Sequence, residues 1–260
     1  MRENDLVKLH GKLNEIKGMG WIENRRPGNP GGVGNTLEDL LEIAENNLQI
    51  PDFGAWEVKS QRRDTGSLLT LFHTEPEPRS SRIVPQILLL QYGWPHKEAG
   101  TKYPDHEKSF RQTINATSCS DRGFMVNVDH INKQIYISFD YSKIDDRHAQ
   151  WRSFVKTGVG TEDINPNPYW SFNIINEKLK DKINNLLYFR AERKIVHNKE
   201  YFKYNEFEAY IDPDLNRFLQ LIEQGVLYVD FDARTGHNHG TKFRIKPAMK
   251  SKLYKNQLDV

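Results

Sequence analysis

Glu57-Val58-Lys59 constrains this chain more than any other stretch, because an apolar residue stands between two opposite charges. Successive side chains of a β-strand point to opposite faces, so Glu57 and Lys59 share one face while Val58 enters a core. The segment therefore calls for a sheet with one apolar side and one side that presents charge. Asp52 precedes Glu57 by five residues, and a bend entering the strand brings its carboxylate alongside. Two acidic oxygens suit a hard cation such as Mg²⁺, which prefers oxygen ligands and keeps several waters. Lys59 is then placed to orient or deprotonate one of those waters. Such a string is weak alone, since a solvated strand face carries the same residues by chance, and its surroundings decide.

Upstream, Gly31 to Leu41 reads as a glycine loop entering a helix, with Thr36 as N-cap and Asp39 as a capping-box partner. Leu37, Leu40, Leu41 and Ala44 form its core-facing stripe. Glu38, beside that stripe, is either a charge favoured by the helix dipole or an extra acid near the metal. Downstream, Ser67 to His73 is an apolar run of strand length, expected as a second strand beside the first. Arg62 and Arg63 in the connection are either a solvated turn or phosphate contacts.

These stretches carry a resemblance. Gly-x-Gly-Asn-Thr-Leu-Glu-Asp-Leu-Leu-Glu, Pro51-Asp52-Phe53, Trp56-Glu57-Val58-Lys59 and Ser67-Leu-Leu-Thr-Leu-Phe72 resemble the MvaI/BcnI family of type II restriction endonucleases. That family belongs with the nicking enzyme MutH in the PD-(D/E)xK superfamily. The likeness continues through Pro168-Tyr169-Trp170-Ser171-Phe172, Tyr201 to Asn205 and His239-Gly240-Thr241-x-Phe243-Arg244-Ile245, and is thinnest from about Lys97 to Asp163. It implies a Mg²⁺-dependent, sequence-specific endonuclease acting on double-stranded DNA, with Mn²⁺ able to substitute. Asp52, Glu57 and Val58 are the implied metal set, Lys59 the residue acting on the water, and Glu38 a supporting acid. It further implies a monomer that clamps DNA between two lobes, cuts one strand per encounter and leaves 5′-phosphate and 3′-hydroxyl ends. A companion DNA methyltransferase acting on the same site is expected in the same prokaryotic cytoplasm. The alternatives are a MutH-like strand-nicking endonuclease and, from another class, a DNA-binding protein without catalysis. The latter predicts a broken triad, and this one is complete.

The rest of the chain fits a globular enzyme. At 260 residues, 37% apolar and 11% aromatic, it can bury a substantial core. No apolar run approaches the roughly 20 residues that span a bilayer, so no membrane partner is expected, and the N-terminus does not read as a signal peptide. A lone Cys119 excludes an internal disulfide, fits a reducing cytoplasm and argues against structural zinc. Net charge is only +2, yet seven Lys/Arg face three acids from Asp230 onward. Arg25 and Arg26 add charge to the glycine loop, and separated basic patches can meet a polyanion from two sides.

The expected fold is mixed α/β, a PD-(D/E)xK restriction-endonuclease-like core with a central mixed sheet and two lobes forming a DNA-binding cleft. A helix over 5–17 opens the chain, and 74–104, with five prolines, reads as irregular. A hairpin joins 124–128 to 134–139, and Ile164-Asn-Pro-Asn-Pro168 is a hinge candidate. That divides the chain into a catalytic lobe, 1–165, and a DNA-recognition lobe, 166–260. In the second, Ser171 caps a helix, strands follow at 186–196 and 200–209, and a helix from Asp212 ends at Gly225. Val226–Phe231 and Lys242–Lys246 close the sheet.

Gly236-His237-Asn238-His239-Gly240 lies between those last two strands. A zinc site is weak there without a cysteine or a third histidine, and an HNH nuclease spaces its residues over tens of positions. A polar turn and base reading remain, and base reading is favoured: His237 and His239 can donate or accept, asparagine pairs with adenine and arginine with guanine. Arg234, Lys242 and Arg244 flank the loop as guanine readers or phosphate clamps. Similar enzymes often carry aspartate at Asn238, so the C/G-rich target the resemblance implies does not transfer directly. His73 is either a strand-end histidine or a minor-groove contact. Among Tyr201, Phe202, Tyr204, Phe207 and Tyr210 the aromatics read as core, with Lys203 as a phosphate contact.

Overall fold

The computed structural model describes residues 3–29, 31–43 and 55–259. Helix α1 (Glu3–Gly18) opens the chain, followed by β1 (Ile22–Glu23) and α2 (Gly32–Leu40). Thr36 is not the cap of α2. The helix begins at Gly31 and Gly32, where a Cβ on Gly32 would stand 2.6 Å from Asn24 Nδ2, so glycine lets the first turn settle on Asn24. Thr36 is fully buried inside the helix, where its hydroxyl accepts the Arg25 N–H at 3.2 Å and reaches Asn24 Oδ1 at 3.4 Å.

Strands β2 (Glu57–Arg62) and β3 (Leu69–His73) form where expected, but in different sheets. A π-helical turn (Ile83–Leu89) then runs into α3 (Leu90–Tyr92), so 83–92 is ordered helix where prolines suggested irregular chain. It forms because Ile83, Val84, Leu88 and Leu89 all find a core. Gly93 ends it: a Cβ there would lie 2.1 Å from the Leu89 carbonyl oxygen. Next come β4 (Trp94–Pro95), β5 (Lys108–Ile114), β6 (Arg122–Asp129) and β7 (Gln134–Ile144), the last two pairing as the expected hairpin. After α4 (Ala149–Gly158) and β8 (Tyr169–Ser171), α5 (Phe172–Lys182) is capped by Ser171, whose hydroxyl accepts the Ile174 N–H at 3.3 Å. Strands β9 (Asn185–Val196) and β10 (Lys199–Pro213) precede α6 (Leu215–Glu223), which ends at Gly225 with φ +65°. β11 (Leu227–Arg234), β12 (His237–Asn238), β13 (Lys242–Ile245) and β14 (Tyr254–Leu258) complete the chain.

The chain divides into two compact units that alternate along the sequence. One comprises Met1–Ser67, Lys178–Asp214 and Tyr254–Val260, the other Leu68–Glu177 and Leu215–Leu253. This partition is not the single boundary after residue 165 that the proline segment suggested, because strand pairing overrides chain order. In the first unit a mixed sheet runs β1-β10-β9-β2, with β14 also on β10. β2 lies parallel to β9 and the other pairs are antiparallel. Its core joins Leu13 and Ile16 of α1, Val33 and Leu37 of α2, Val58, Phe189, Phe202 and Tyr204. Of the β10 aromatics, Phe202, Tyr204 and Tyr210 are buried and Phe207 packs partly against this core, whereas Tyr201, on the alternate face from Phe202, is only half-buried.

The second unit holds a six-stranded antiparallel sheet, β3-β13-β11-β5-β4 with β12 on β11, and a three-stranded sheet, β6-β7-β8. Aromatic rings fill its interior: Phe218 of α6 stacks 5.9 Å from Phe72, and Trp170 meets Phe243 edge-on at 5.1 Å.

Candidate active site

β2 stands at the end of the strand order in its sheet. Val58 is buried, in register with Leu187 of β9. Glu57 and Lys59 point the other way, and Lys59 Nζ forms a short ion pair with Glu57 Oε1. Glu57 is fully buried. Its other oxygen, Oε2, is held by Lys182 Nζ at 2.8 Å, from the last residue of α5. Burying a carboxylate is costly unless it is paired, and two ammonium groups supply that pairing. Tyr254 lies close by, with its hydroxyl donated to the Ile183 carbonyl at 3.2 Å. Burial, and then the Glu57 charge, push the Tyr254 phenol well above its ordinary pKa.

Glu38 projects from α2 beside β2. A Cβ on Gly34 would stand 3.9 Å from Glu38 Oε1 and 3.8 Å from Ser60 Oγ, so both side chains border Gly34. Ser60 Oγ is buried without a hydrogen-bond partner among the described residues. Asp52 lies outside the described residues, so the triad is placed only in its Glu57 and Lys59 members. Among the described residues no three His, Cys, Asp or Glu gather as a metal cluster. The chemistry of Glu57 nevertheless fits a divalent cation: it is a buried oxygen donor whose two oxygens already draw positive charge.

The polar candidates of the second unit gather on one face of the six-stranded sheet. Along β11, Val229, Phe231 and Ala233 are buried, and Asp230, Asp232 and Arg234 point to the other side. Register places Lys242 beside Asp230, Arg111 beside Asp232 and His73 beside Lys242. Ion pairs lace this face: Arg111–Asp232 at 2.7 Å, Lys242–Asp232 at 3.3 Å and Arg244–Asp230 at 3.1 Å. Arg244 also donates to the Leu68 carbonyl at 2.9 Å. Arg234 pairs with buried Glu107 at 3.0 Å and lies 4.6 Å over the Tyr103 ring. Burial pushes the Asp232 carboxyl up, but Lys242 and Arg111 outweigh it and hold the pKa below its ordinary value.

The histidine loop closes over this face. Asn238 Oδ1 accepts the Gly240 N–H at 2.9 Å, and His237 Nε2 lies 3.3 Å from His239 Nδ1. A Cβ on Gly240 would come within 3.3 Å of the His73 ring, so His73 belongs to the same cluster. Burial lowers the His239 pKa; Asp232 opposes that shift, and the neighbouring His237, Lys242 and Arg111 add to the lowering.

The other candidate cations are in the first unit. Arg26 pairs with Asp39 at 3.3 Å, Arg25 lies at the entry to α2, Arg62 ends β2, and Lys203 stands opposite Glu192 on β10. Lys182, Arg111, Asp230 and Asp232 are site residues that sequence reasoning missed. The alternation Asp230-Phe231-Asp232-Ala233-Arg234 is a strand signal that could have found the last two, whereas nothing local marks Lys182.

The MvaI/BcnI restriction endonuclease family model matches residues 10–254. Two solved structures are similar over nearly the whole chain. One is restriction endonuclease MvaI in complex with cognate DNA, 26% identical, covering 98% of each chain, with a TM-score of 0.77. The other is MvaI in the absence of DNA, 25% identical, covering 99% of this chain and 98% of that one, with a TM-score of 0.55. No curated protein matches the sequence significantly. A fold and sequence match of this extent defines a type II restriction endonuclease, a site-specific deoxyribonuclease. The chain belongs to the MvaI/BcnI restriction endonuclease family.

Proposed function

We propose that this enzyme is a Mg²⁺-dependent endonuclease that hydrolyses double-stranded DNA at a specific sequence, as a monomer cutting the two strands in turn. The observation that carries the reading is the buried Glu57 carboxylate on the same strand face as Lys59. Glu57, Asp52 and the Val58 carbonyl would hold the cation, which when bound neutralises charge at the phosphate and acidifies a water. Lys59 positions that water and shuttles its proton. Lys182 fixes the second oxygen of Glu57, and Glu38 supports the site by holding a water, a lysine or a second metal. The first compact unit does the chemistry and the second reads the sequence, replacing the division at residue 165.

On the second unit, Asn238, His237, His239, Arg234 and Arg244 offer donors and acceptors to base edges, and His73 and Lys242 extend that surface. Arg25, Arg26, Arg62 and Lys203 bind phosphates. A DNA methyltransferase of the same prokaryotic cytoplasm would protect the host's copies of the site.

Digestion of supercoiled plasmid with Mg²⁺, with Mn²⁺ and with EDTA tests this reading. Discrete linear fragments only with metal are expected, with 5′-phosphate ends on sequencing. Lys59→Ala should abolish cutting and leave DNA retardation intact. Open circles that never linearise would establish a strand-nicking enzyme, and retarded but intact DNA would sink the catalytic claim.

A further inference from the structure

A cavity of about 440 Å³ lies in the second compact unit and shares no residue with the site above. Trp94, Lys108, Arg122, Gln150, Trp151 and Phe154 line it. Its size falls within the roughly 300–1,000 Å³ of small-molecule pockets.

Among its lining groups is the Arg122 guanidinium, 4.0 Å from the Trp94 ring centre and 4.7 Å from that of Trp151. The two indoles stand nearly perpendicular, at 88°, and Trp151 is anchored by its Nε1–H to the Tyr92 carbonyl at 3.0 Å. A cation held against two aromatic faces is pinned in orientation. One of its nitrogens, Nη1, is nevertheless buried with no hydrogen-bond partner among the described residues. The adjacent carboxylate, Asp121, is already engaged by Arg147 and His148, each at 2.8 Å. Burial weakens the hold of Arg122 on its proton, and the positive Arg147 adds to that effect against Asp121. The cavity is therefore lined by a fixed guanidinium whose adjacent carboxylate is committed to other partners, a setting that favours an anion.

The rim adds the other half of the recognition. Phe154 leaves 45% of its surface exposed, an unusual state for a large aromatic beside a cavity. The Lys108 ammonium sits 4.9 Å over its ring and donates to the Leu90 carbonyl at 3.1 Å. Gln150 brings an amide that both donates and accepts. A planar ring to lie on Phe154, a hydrogen-bonding edge for Gln150 and an anionic substituent for Arg122 and Lys108 describe one ligand chemistry. We propose that this cavity binds a nucleotide, its phosphate on Arg122 and Lys108 and its base against Phe154. The nucleotide could be free or the phosphorylated end of a DNA strand.

Titration calorimetry separates these sources. The probes are the four deoxynucleoside 5′-monophosphates, deoxyadenosine, inorganic phosphate, and a short single-stranded oligonucleotide with and without a 5′-phosphate. Saturable binding of a mononucleotide is expected, weakened about tenfold or more by removing the phosphate and by Arg122→Gln. Binding of the phosphorylated oligonucleotide alone would support the site and assign it to a strand end. Phe154→Ala, at the exposed rim, weakens nucleotide binding without touching the Arg122 stack, and so covers the case in which Arg122→Gln fails to fold. No binding by any probe, or phosphate binding as well as the nucleotide with Phe154→Ala silent, would overturn the proposal. Plasmid cleavage by wild-type enzyme is measured in parallel, so failure of the nuclease reading appears separately.

Discussion

Glu57 is fully buried, with Lys59 on one carboxylate oxygen and Lys182 on the other. Removing one partner from a buried charge leaves part of its desolvation uncompensated. Lys182→Gln should therefore cost about 1–3 kcal/mol in urea unfolding with EDTA present, with Lys59 covering the remainder. In Glu57→Gln/Lys182→Gln the cost should fall well short of the sum of the single changes, because the charge itself is gone. Additive costs would show that Lys182 acts elsewhere. Asn238 permits a cleaner test of reading. Asn238→Asp keeps an oxygen for the Gly240 N–H and replaces the outward amide donor with an acceptor. Cleavage of a randomised-site library should shift in base preference with melting temperature unchanged; an unchanged preference would remove Asn238 from the readout.

At the scale of elements, the charged face depends on β11 keeping its alternation while β5 and β13 supply the opposite charges. His239 reports on that face. Its folded pKa lies below its ordinary 6.5, so between the two values the unfolded chain binds a proton that the folded chain does not. Stability thus falls as pH drops through that window, and the loss is complete below it. The ring is largely exposed, so the effect on stability is small and NMR titration is the better readout. Its midpoint should lie under 6.5, and Asp232→Asn should lower it further by removing the one neighbour that raises it. A rise on that substitution would contradict the arrangement. Gly93 is the matching case for packing: Gly93→Ala forces a Cβ into the Leu89 carbonyl and should cost about 1–3 kcal/mol or more by thermal melting.

For the whole molecule, the path of the chain sets what can fold alone. β2 takes its parallel partner from β9, more than a hundred residues later, and β3 pairs with β13. Fragments 1–165 and 166–260 each lack strands of both main sheets, so each should be unfolded by circular dichroism when expressed separately. An independently folded 1–165 would refute the interleaved units. Short-range features were legible in the sequence: the Glu57–Lys59 alternation, the hairpin over 124–139, the cap of Ser171 and the core aromatics of β10 all follow from spacings within a few residues. Thr36 misled because a capping preference yielded to close packing of glycines on Asn24, and 83–92 misled because prolines outweighed its apolar content in a local reading. Lys182 was invisible because its contact with Glu57 spans the sequence. By itself the sequence determined which strands alternate, which residues carry charge and to which family the chain belongs, since side-chain period and motif spacing are local. Only the tertiary structure decided which strands are neighbours, which lysine meets Glu57 and that Arg111 and Asp232 join the histidine loop, because pairing across long loops is set by burial of the whole chain.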